Sequence, residues 1–163
     1  MSEVEGLRPT PNRVRETLFN WLQTEISGAT CLDAFSGSGA LGFEALSRGA
    51  KKVTMLEQHY DGYQQLIQTR NLLNAEQAEI IHTDSVQWLT QNTRQFDIIF
   101  LDPPFHSELI EDTVSLIQQT GCLMERGLLY IECEQAPEII KDLIMHKQKR
   151  TGQVQYGLYQ LAN

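Results

Sequence analysis

Cysteine is scarce in this chain. The three present, Cys31, Cys122 and Cys133, are odd in number, far apart and outside any C-x-x-C spacing. That excludes a disulfide framework and a sequence-evident zinc site. The four histidines, His59, His82, His106 and His146, show no ligand spacing either, so no metal is expected. No run approaches the roughly 18 consecutive apolar residues of a membrane span. Met1–Gly6 is acidic and lacks the apolar segment of a secretory signal. Repeats and low-complexity tracts are missing. These absences predict a soluble, cytoplasmic protein with no membrane association. Basic residues are outnumbered, 13 Lys and Arg against 21 Asp and Glu, for a net charge of −8. The cations are nonetheless clustered, at Arg8, Arg13 and Arg15, at Arg48, Lys51 and Lys52, and at Lys147, Lys149 and Arg150.

At 163 residues the chain is long enough for one domain with its own core. The expected division is a short N-terminal segment over residues 1–10 and one domain over 11–163. Thr10 and Pro11 read as a helix start, with Val14, Leu18, Trp21 and Leu22 at helical spacing over about residues 11–24. Strands are then expected at residues 30–35, 53–57, 80–82, 97–101 and 128–133. Helices are expected at about 40–48 (closed by Gly49), 60–74, 85–93, 107–120 and 136–145. The apolar alternation of the tail suggests an edge hairpin hinged at Gly152. Strands alternating with helices predict an α/β fold, a mostly parallel sheet covered on both faces. Such sheets bind ligands beyond the carboxyl ends of their strands.

The residues with chemical potential all fall at such ends. Gly37-Ser-Gly39-Ala-Leu-Gly42 fits G-x-G-x-x-G between a strand and a helix, a turn that lets backbone approach a ligand closely. Dinucleotide enzymes share it. Asp33 stands just ahead of that turn, where a carboxylate is costly unless paired or facing a ligand. A pyrophosphate would be repelled there; S-adenosylmethionine, with its cationic sulfonium and ammonium, would be favoured. Glu57 ends the second strand, where it could accept from ribose hydroxyls. Asp84 follows the third, where it could accept from an adenine amine. Asp102-Pro-Pro-Phe105 follows the fourth. Its two prolines make a stiff turn lined by acceptors. Asp102 and the Pro103 carbonyl could grip an exocyclic amine, and Phe105 offers a face for an extruded base.

Asp33-Ala-Phe-Ser-Gly-Ser-Gly-Ala-Leu-Gly42 with Asp102-Pro-Pro-Phe105 resembles the Rossmann-like class I methyltransferases that act on amino groups. The segment from Arg8 to Leu22 and the Gly152–Tyr159 tail narrow this further. Together they resemble the bacterial 16S rRNA guanine-N2 methyltransferases of the ribosomal small-subunit methyltransferase D family, over nearly all of residues 6–161. The resemblance implies a seven-stranded sheet, S-adenosyl-L-methionine as cofactor, and methylation of one guanine of 16S rRNA. It also implies a partner, the 30S subunit or its late assembly intermediate, and a monomeric enzyme. By position it gives cofactor contacts to Thr10, Asp33, Phe35, Ser36, Gly37, Gly39, Glu57, Gln58, Asp84, Ser85 and Asp102. Asp102, Pro103, Pro104 and Phe105 would hold the guanine, and Arg8, Arg13, Arg15, Lys149 and Arg150 would reach RNA phosphates. One departure stands out: the family carries a basic, strand-forming segment ahead of Arg8, where this sequence has the acidic Met1–Gly6.

Other readings stay open at this stage. The Asp-Pro-Pro-aromatic turn also serves adenine-N6 methyltransferases on DNA or RNA. A nicotinamide-dependent oxidoreductase would use the glycine turn but leave the diproline turn without a task. A ribosome-assembly module could retain the fold without transferring a methyl. Nucleophilic hydrolysis and NTP binding lack their motifs: Ser36 and Ser38 are outside any G-x-S-x-G frame, and no G-K-[ST] follows the glycines.

Overall fold

The structure, a computed structural model, describes residues 12–103, 107–134, 142–152 and 154–162. Five helices and seven strands follow in the order α1 (Asn12–Trp21), β1 (Thr30–Asp33), α2 (Ala40–Ser47), β2 (Lys52–Glu57), α3 (Tyr60–Leu73), β3 (Ala78–His82), α4 (Ser85–Gln91), β4 (Phe96–Leu101), α5 (Ser107–Thr120), β5 (Leu123–Cys133), β6 (Leu143–Thr151) and β7 (Val154–Leu161). The strands form one sheet in the order β3-β2-β1-β4-β5-β7-β6. The pairs among β1 to β5 are parallel, and β7 runs antiparallel to both β5 and β6. The seven-stranded Rossmann-like α/β sheet expected from the sequence is therefore present. Among the described residues, no helix is long and apolar enough to cross a membrane.

Two cores explain why the central strands read as unbroken apolar runs. On one face Cys31, Met55, Ile98, Phe100, Tyr130 and Tyr156 pack with Val14, Leu18 and Phe19 of α1, Leu41 and Ala45 of α2, and Leu66 of α3. On the other, Leu32, Leu56, Ile99, Leu101, Leu129 and Ile131 pack with Leu89 of α4 and with Ile110, Val114 and Ile117 of α5. Successive residues of a strand alternate faces, so a strand buried on both sides needs an apolar residue at nearly every position.

Several boundaries differ from expectation. β1 ends at Asp33 because Ala34 and Phe35 already bend into the glycine turn. β5 begins at Leu123, five residues early, and absorbs an irregularity between Phe96 and Ile98 of its partner with Arg126 at φ 65°. The helix expected over 136–145 is corrected at its end, since Leu143, Ile144 and Met145 open β6. They pair with β7 instead, where Leu143 faces Leu161. Residues 135–141 lie outside the described segments, as do Thr10 and Pro11. The hairpin is present, with Gly152 at φ 60° in its turn.

The glycine turn is set by sterics. Gly39 has φ 86°, and a Cβ there would come within 2.6 Å of the Phe43 ring and 2.7 Å of Leu66. Gly37 has φ 54°, but a Cβ on it would meet nothing within 4 Å. Gly39→Ala therefore combines backbone strain with a clash, costing about 3 kcal/mol, whereas Gly37→Ala incurs strain alone, about 1 kcal/mol. Thermal melts should show a drop of roughly 6–12 °C for the first and about 2–4 °C for the second. Equal melting points would refute the assigned packing.

Candidate active site

The carboxyl ends of β1 and β4 meet at the point where the strand order reverses. From β1 the chain builds outward through β2 and β3, then returns to place β4 on the other side of β1. Strand order of this kind leaves a crevice beyond the sheet. Asp33 is in register with Phe100, and the Ala34 N–H donates to the Phe100 carbonyl at 3.2 Å. Asp102, two residues beyond Phe100, thus stands beside the turn that runs from Ala34 to Gly39. The glycine bend and the corner at Asp102 and Pro103 share one rim.

Asp33 is the electrostatic centre of that rim. It is 1% exposed, and burial pushes its carboxyl up to about 7. The Gly42 N–H, which donates to Oδ2 at 3.2 Å, and the Ser36 hydroxyl pull the other way, while the negative charge of Glu57 adds to the rise. The Ser36 hydroxyl itself donates to the Asp33 carbonyl at 3.0 Å, tying the turn to the strand it leaves. Gly42 is needed at this distance, because a Cβ there would press on Met55 and on the Asp33 carboxylate. Among the described residues no Lys, Arg or His forms an ion pair with Asp33.

Glu57 is half-buried at the end of β2 and is also raised by burial, against the N–H groups of His59 and Gln58 and the charge of His59. Gly62 lets the first turn of α3 sit against it, at 3.1 Å from the Glu57 side chain to an added Cβ. Gln58 is exposed, and its carbonyl lies 3.0 Å from His82 Nε2. Asp84 is exposed and caps α4, its Oδ2 accepting from the Gln87 N–H at 2.9 Å. Ser85 is buried, with its hydroxyl bonded to the Ala34 carbonyl, which fastens the start of α4 to the end of β1. Phe35 is half-buried and Gly37 exposed between these groups.

Asp102 is half-exposed and Pro103 buried on the other side of the crevice. Pro104 and Phe105 lie outside the described residues, as do Arg8 and Thr10. Arg13 is exposed on α1, while Arg15 is engaged within the chain, at 2.7 Å from Asn12 Oδ1 and 3.6 Å from Glu44. Lys149 and Arg150 are exposed on β6. Two shallow recesses elsewhere, around Lys51, Lys52 and Arg70 and along α4 at Gln87 and Trp88, gather none of these groups.

The lining is thus acidic: Asp33, Glu57, Asp84 and Asp102 beyond four neighbouring strands, with backbone carbonyls between them. Such a lining accepts hydrogen bonds from hydroxyls and amines and welcomes a cation, and it repels a pyrophosphate. It fits S-adenosylmethionine and does not fit a nicotinamide dinucleotide. One residue on this rim is absent from the sequence-based candidates. Glu132, on β5, is only 8% exposed and accepts the Tyr130 hydroxyl at 2.6 Å. The signal was present, an acid near the end of an apolar strand like Asp33, but it reads from sequence as part of the acidic stretch 132–138.

The burial of Asp33 has a sign that can be tested. Its folded value, about 7 against an ordinary 3.8, means that the folded protein keeps a proton the unfolded chain has lost. Stability therefore falls as pH rises from about 4 to 7, by on the order of 4 kcal/mol, and stays low above that. Asp33→Asn removes the penalty: the variant should melt several degrees above the parent at pH 8 and within a degree or two of it at pH 4. A pH-independent difference would contradict the burial argument.

Comparison with known proteins bears on this geometry. Residues 1–160 match the family model described as Conserved hypothetical protein 95. Ribosomal RNA small subunit methyltransferase D of Haemophilus influenzae is 48% identical over 162 residues, covering 96% of this chain and 84% of its own. The protein of the same name from Escherichia coli K12 is 44% identical over 158 residues, covering 95% and 80%. A solved Escherichia coli methyltransferase structure superposes with a TM-score of 0.89 at 41% identity, over 96% of this chain and 89% of that one. A Haemophilus influenzae methylase structure gives 0.84 at 46% identity, over 95% and 100%. By these identities, over nearly the whole of its length, the chain belongs to the ribosomal RNA small subunit methyltransferase D family.

Proposed function

We propose that this protein is an S-adenosyl-L-methionine-dependent methyltransferase that modifies the exocyclic N2 of one guanine in 16S rRNA. It acts in the cytoplasm, as a monomer, on the 30S subunit or its late assembly intermediate. The observation that carries the reading is the shared rim: a buried carboxylate with no cationic partner among the described residues, Asp33, beside an acceptor corner at Asp102 and Pro103. A cation belongs at the first, an amine at the second.

When bound, the cofactor supplies an electrophilic methyl on a sulfonium. The chain's own residues do the rest. Asp33 offers negative charge to the methionine end; the turn at Phe35, Ser36, Gly37 and Gly39 brings backbone against it. Glu57 and Gln58 would hold the ribose, and Asp84 and Ser85 the adenine, with Thr10 a further contact to the cofactor. At the corner, Asp102 and the Pro103 carbonyl accept from the target amine. A guanine amine is a poor nucleophile because its lone pair is delocalised into the ring. Holding its protons between two acceptors favours the pyramidal form and stabilises the positive charge that develops on nitrogen. Pro104, as the second proline of the motif, would stiffen the corner, and Phe105 would offer a ring to the unstacked base. The surplus proton leaves through Asp102 to solvent.

The RNA is held at a distance from this negative rim. β6 carries Lys147, Lys149 and Arg150 with no acid among its nine residues. Register places Lys149 opposite Tyr156 and Arg150 opposite Gln155, which in turn face Glu132 and Cys133 of β5. The basic end of β6 therefore stands at the same end of the sheet as Asp102, three strand spacings away, about 14 Å. Phosphates flanking the target fit there, and Arg8, Arg13 and Arg15 are the other cations assigned to phosphate binding.

Radiolabelled methyl transfer to small subunits from cells lacking the activity, compared with naked rRNA and DNA, tests the reading. Label should enter a guanine of the particle, and a labelled adenine would overturn it. Asp102→Ala should lower turnover by at least about 100-fold, far more than it lowers cofactor affinity. Replacing Lys149 and Arg150 by Ala should weaken subunit binding and flatten its salt dependence, by about one unit of slope for each phosphate no longer neutralised. An unchanged slope would remove β6 from the interface.

A further inference from the structure

An acceptor corner at Asp102 grips any exocyclic amine and so treats guanine and adenine alike. Something else must tell them apart if the protein is a guanine-N2 methyltransferase, and this inference rests on that reading. Guanine presents, next to its N2 amine, a donor at N1. Adenine presents, next to its N6 amine, a bare lone pair at N1. A carboxylate beside the amine-gripping corner would accept the first and repel the second.

Such a carboxylate is present. The β4–β5 register runs Phe100 to Tyr130 and Leu101 to Ile131, so Asp102 and Glu132 follow the last pair side by side. Alternation puts both on the face that carries Asp33, Phe100, Tyr130 and Tyr156. Glu132 is not a solvated acid. It is 8% exposed and fastened from below by the Tyr130 hydroxyl, which donates to Oε1 at 2.6 Å. Tyr130 is locked in turn, edge-on to Phe100 with ring centres 6.2 Å apart and 6.5 Å from Tyr156. Its phenol is pushed well up by burial, then by Glu132, and next by Asp102 and Tyr156, so one hydroxyl feels all three groups.

A second observation marks the cluster as built for another polar group. Tyr156, the register partner of Glu132 across β5 and β7, is 1% exposed, and its hydroxyl is buried with no hydrogen-bond partner among the described residues. Unsatisfied buried hydroxyls are rare in packed cores, and a place in a polar site is one explanation for them.

We propose that Glu132, held by Tyr130, accepts the N1–H of the target base while Asp102 and the Pro103 carbonyl hold the adjacent amine, making Glu132 the residue that selects guanine over adenine. The donor order of the base edge, N2 then N1, matches the strand order β4 then β5. No bond is made or broken by Glu132; its contribution is to the alignment and choice of the base.

The test compares small subunits reconstituted with guanine or 2-aminopurine at the target position. 2-Aminopurine keeps the N2 amine and replaces the N1–H by a lone pair. The parent enzyme should favour guanine by at least about 100-fold in kcat/KM. In Glu132→Gln, whose amide can turn a donor toward N1, that preference should shrink to within about threefold. The oxygen that 2-aminopurine also lacks is common to both enzymes and cancels in the cycle. Tyr130→Phe keeps the ring packing, releases the carboxylate and should reduce the preference by about five- to tenfold. Should Glu132→Gln fail to fold, judged by its melt and its cofactor affinity, Tyr130→Phe decides. Preference for guanine undiminished in both variants, or an equal loss on both bases, overturns the proposal alone. A parent enzyme that places no methyl on the guanine particle overturns the underlying reading with it.

Discussion

A carboxylate held out of water at the junction of β1 and β4 is the constraint around which this molecule is arranged. Asp33 is buried without a cationic partner among the described residues, and its carboxyl is raised to about 7. Nothing in folding alone rewards that arrangement. What surrounds it makes sense as accommodation: Gly42 comes close enough to donate its N–H, Ser36 ties the turn back to the strand, and Gly39 takes a left-handed conformation no other residue fits beside Phe43. An arrangement that costs stability at neutral pH and offers a ready position for positive charge is the physical signature of a ligand site.

The two cores on either face of the sheet hold that position still. Phe100 illustrates it. Its side chain packs against Phe19 and Tyr130, its carbonyl accepts from Ala34, and it is in register with Asp33. One residue thereby fixes the height of the glycine turn relative to the corner at Asp102. Ser85 does the same from the other side, fastening α4 to the Ala34 carbonyl. Distances across the crevice are set by backbone hydrogen bonds and packed rings, the least compliant parts of a domain.

Charge is sorted by task within an acidic chain. The rim over β2, β1, β4 and β5 carries Glu57, Asp33, Asp102 and Glu132, suited to amines, hydroxyls and cations. The cations of β6 sit at the same end of the sheet, three strand spacings from Asp102 and two from Glu132. Phosphates drawn to that edge would stay clear of Asp33, Glu57 and Asp102, since charges separated by more than about 10 Å in water are largely screened from one another. A net charge of −8 is therefore no obstacle to an RNA substrate, because the sum conceals the separation.

Much of this was legible in the order of residues. Alternating strand and helix signals led to the sheet; Gly37 to Gly42 and Asp102 to Phe105 marked its functional end; Asp33, Glu57 and Asp84 declared themselves by closing apolar runs. These are local signals, because turns, caps and strand ends are decided by a few neighbouring residues. What the linear order could not decide was anything set by pairing between distant segments. Leu143 to Met145 were expected to end a helix and became strand because β7 offered them hydrogen bonds. Glu132 looked like surface charge until the register with β4 set it beside Asp102 and the ring of Tyr130 beneath it. Burial, and with it the raised carboxyl of Asp33, depends on what packs from elsewhere in the chain. Only the folded sheet brings those pieces together.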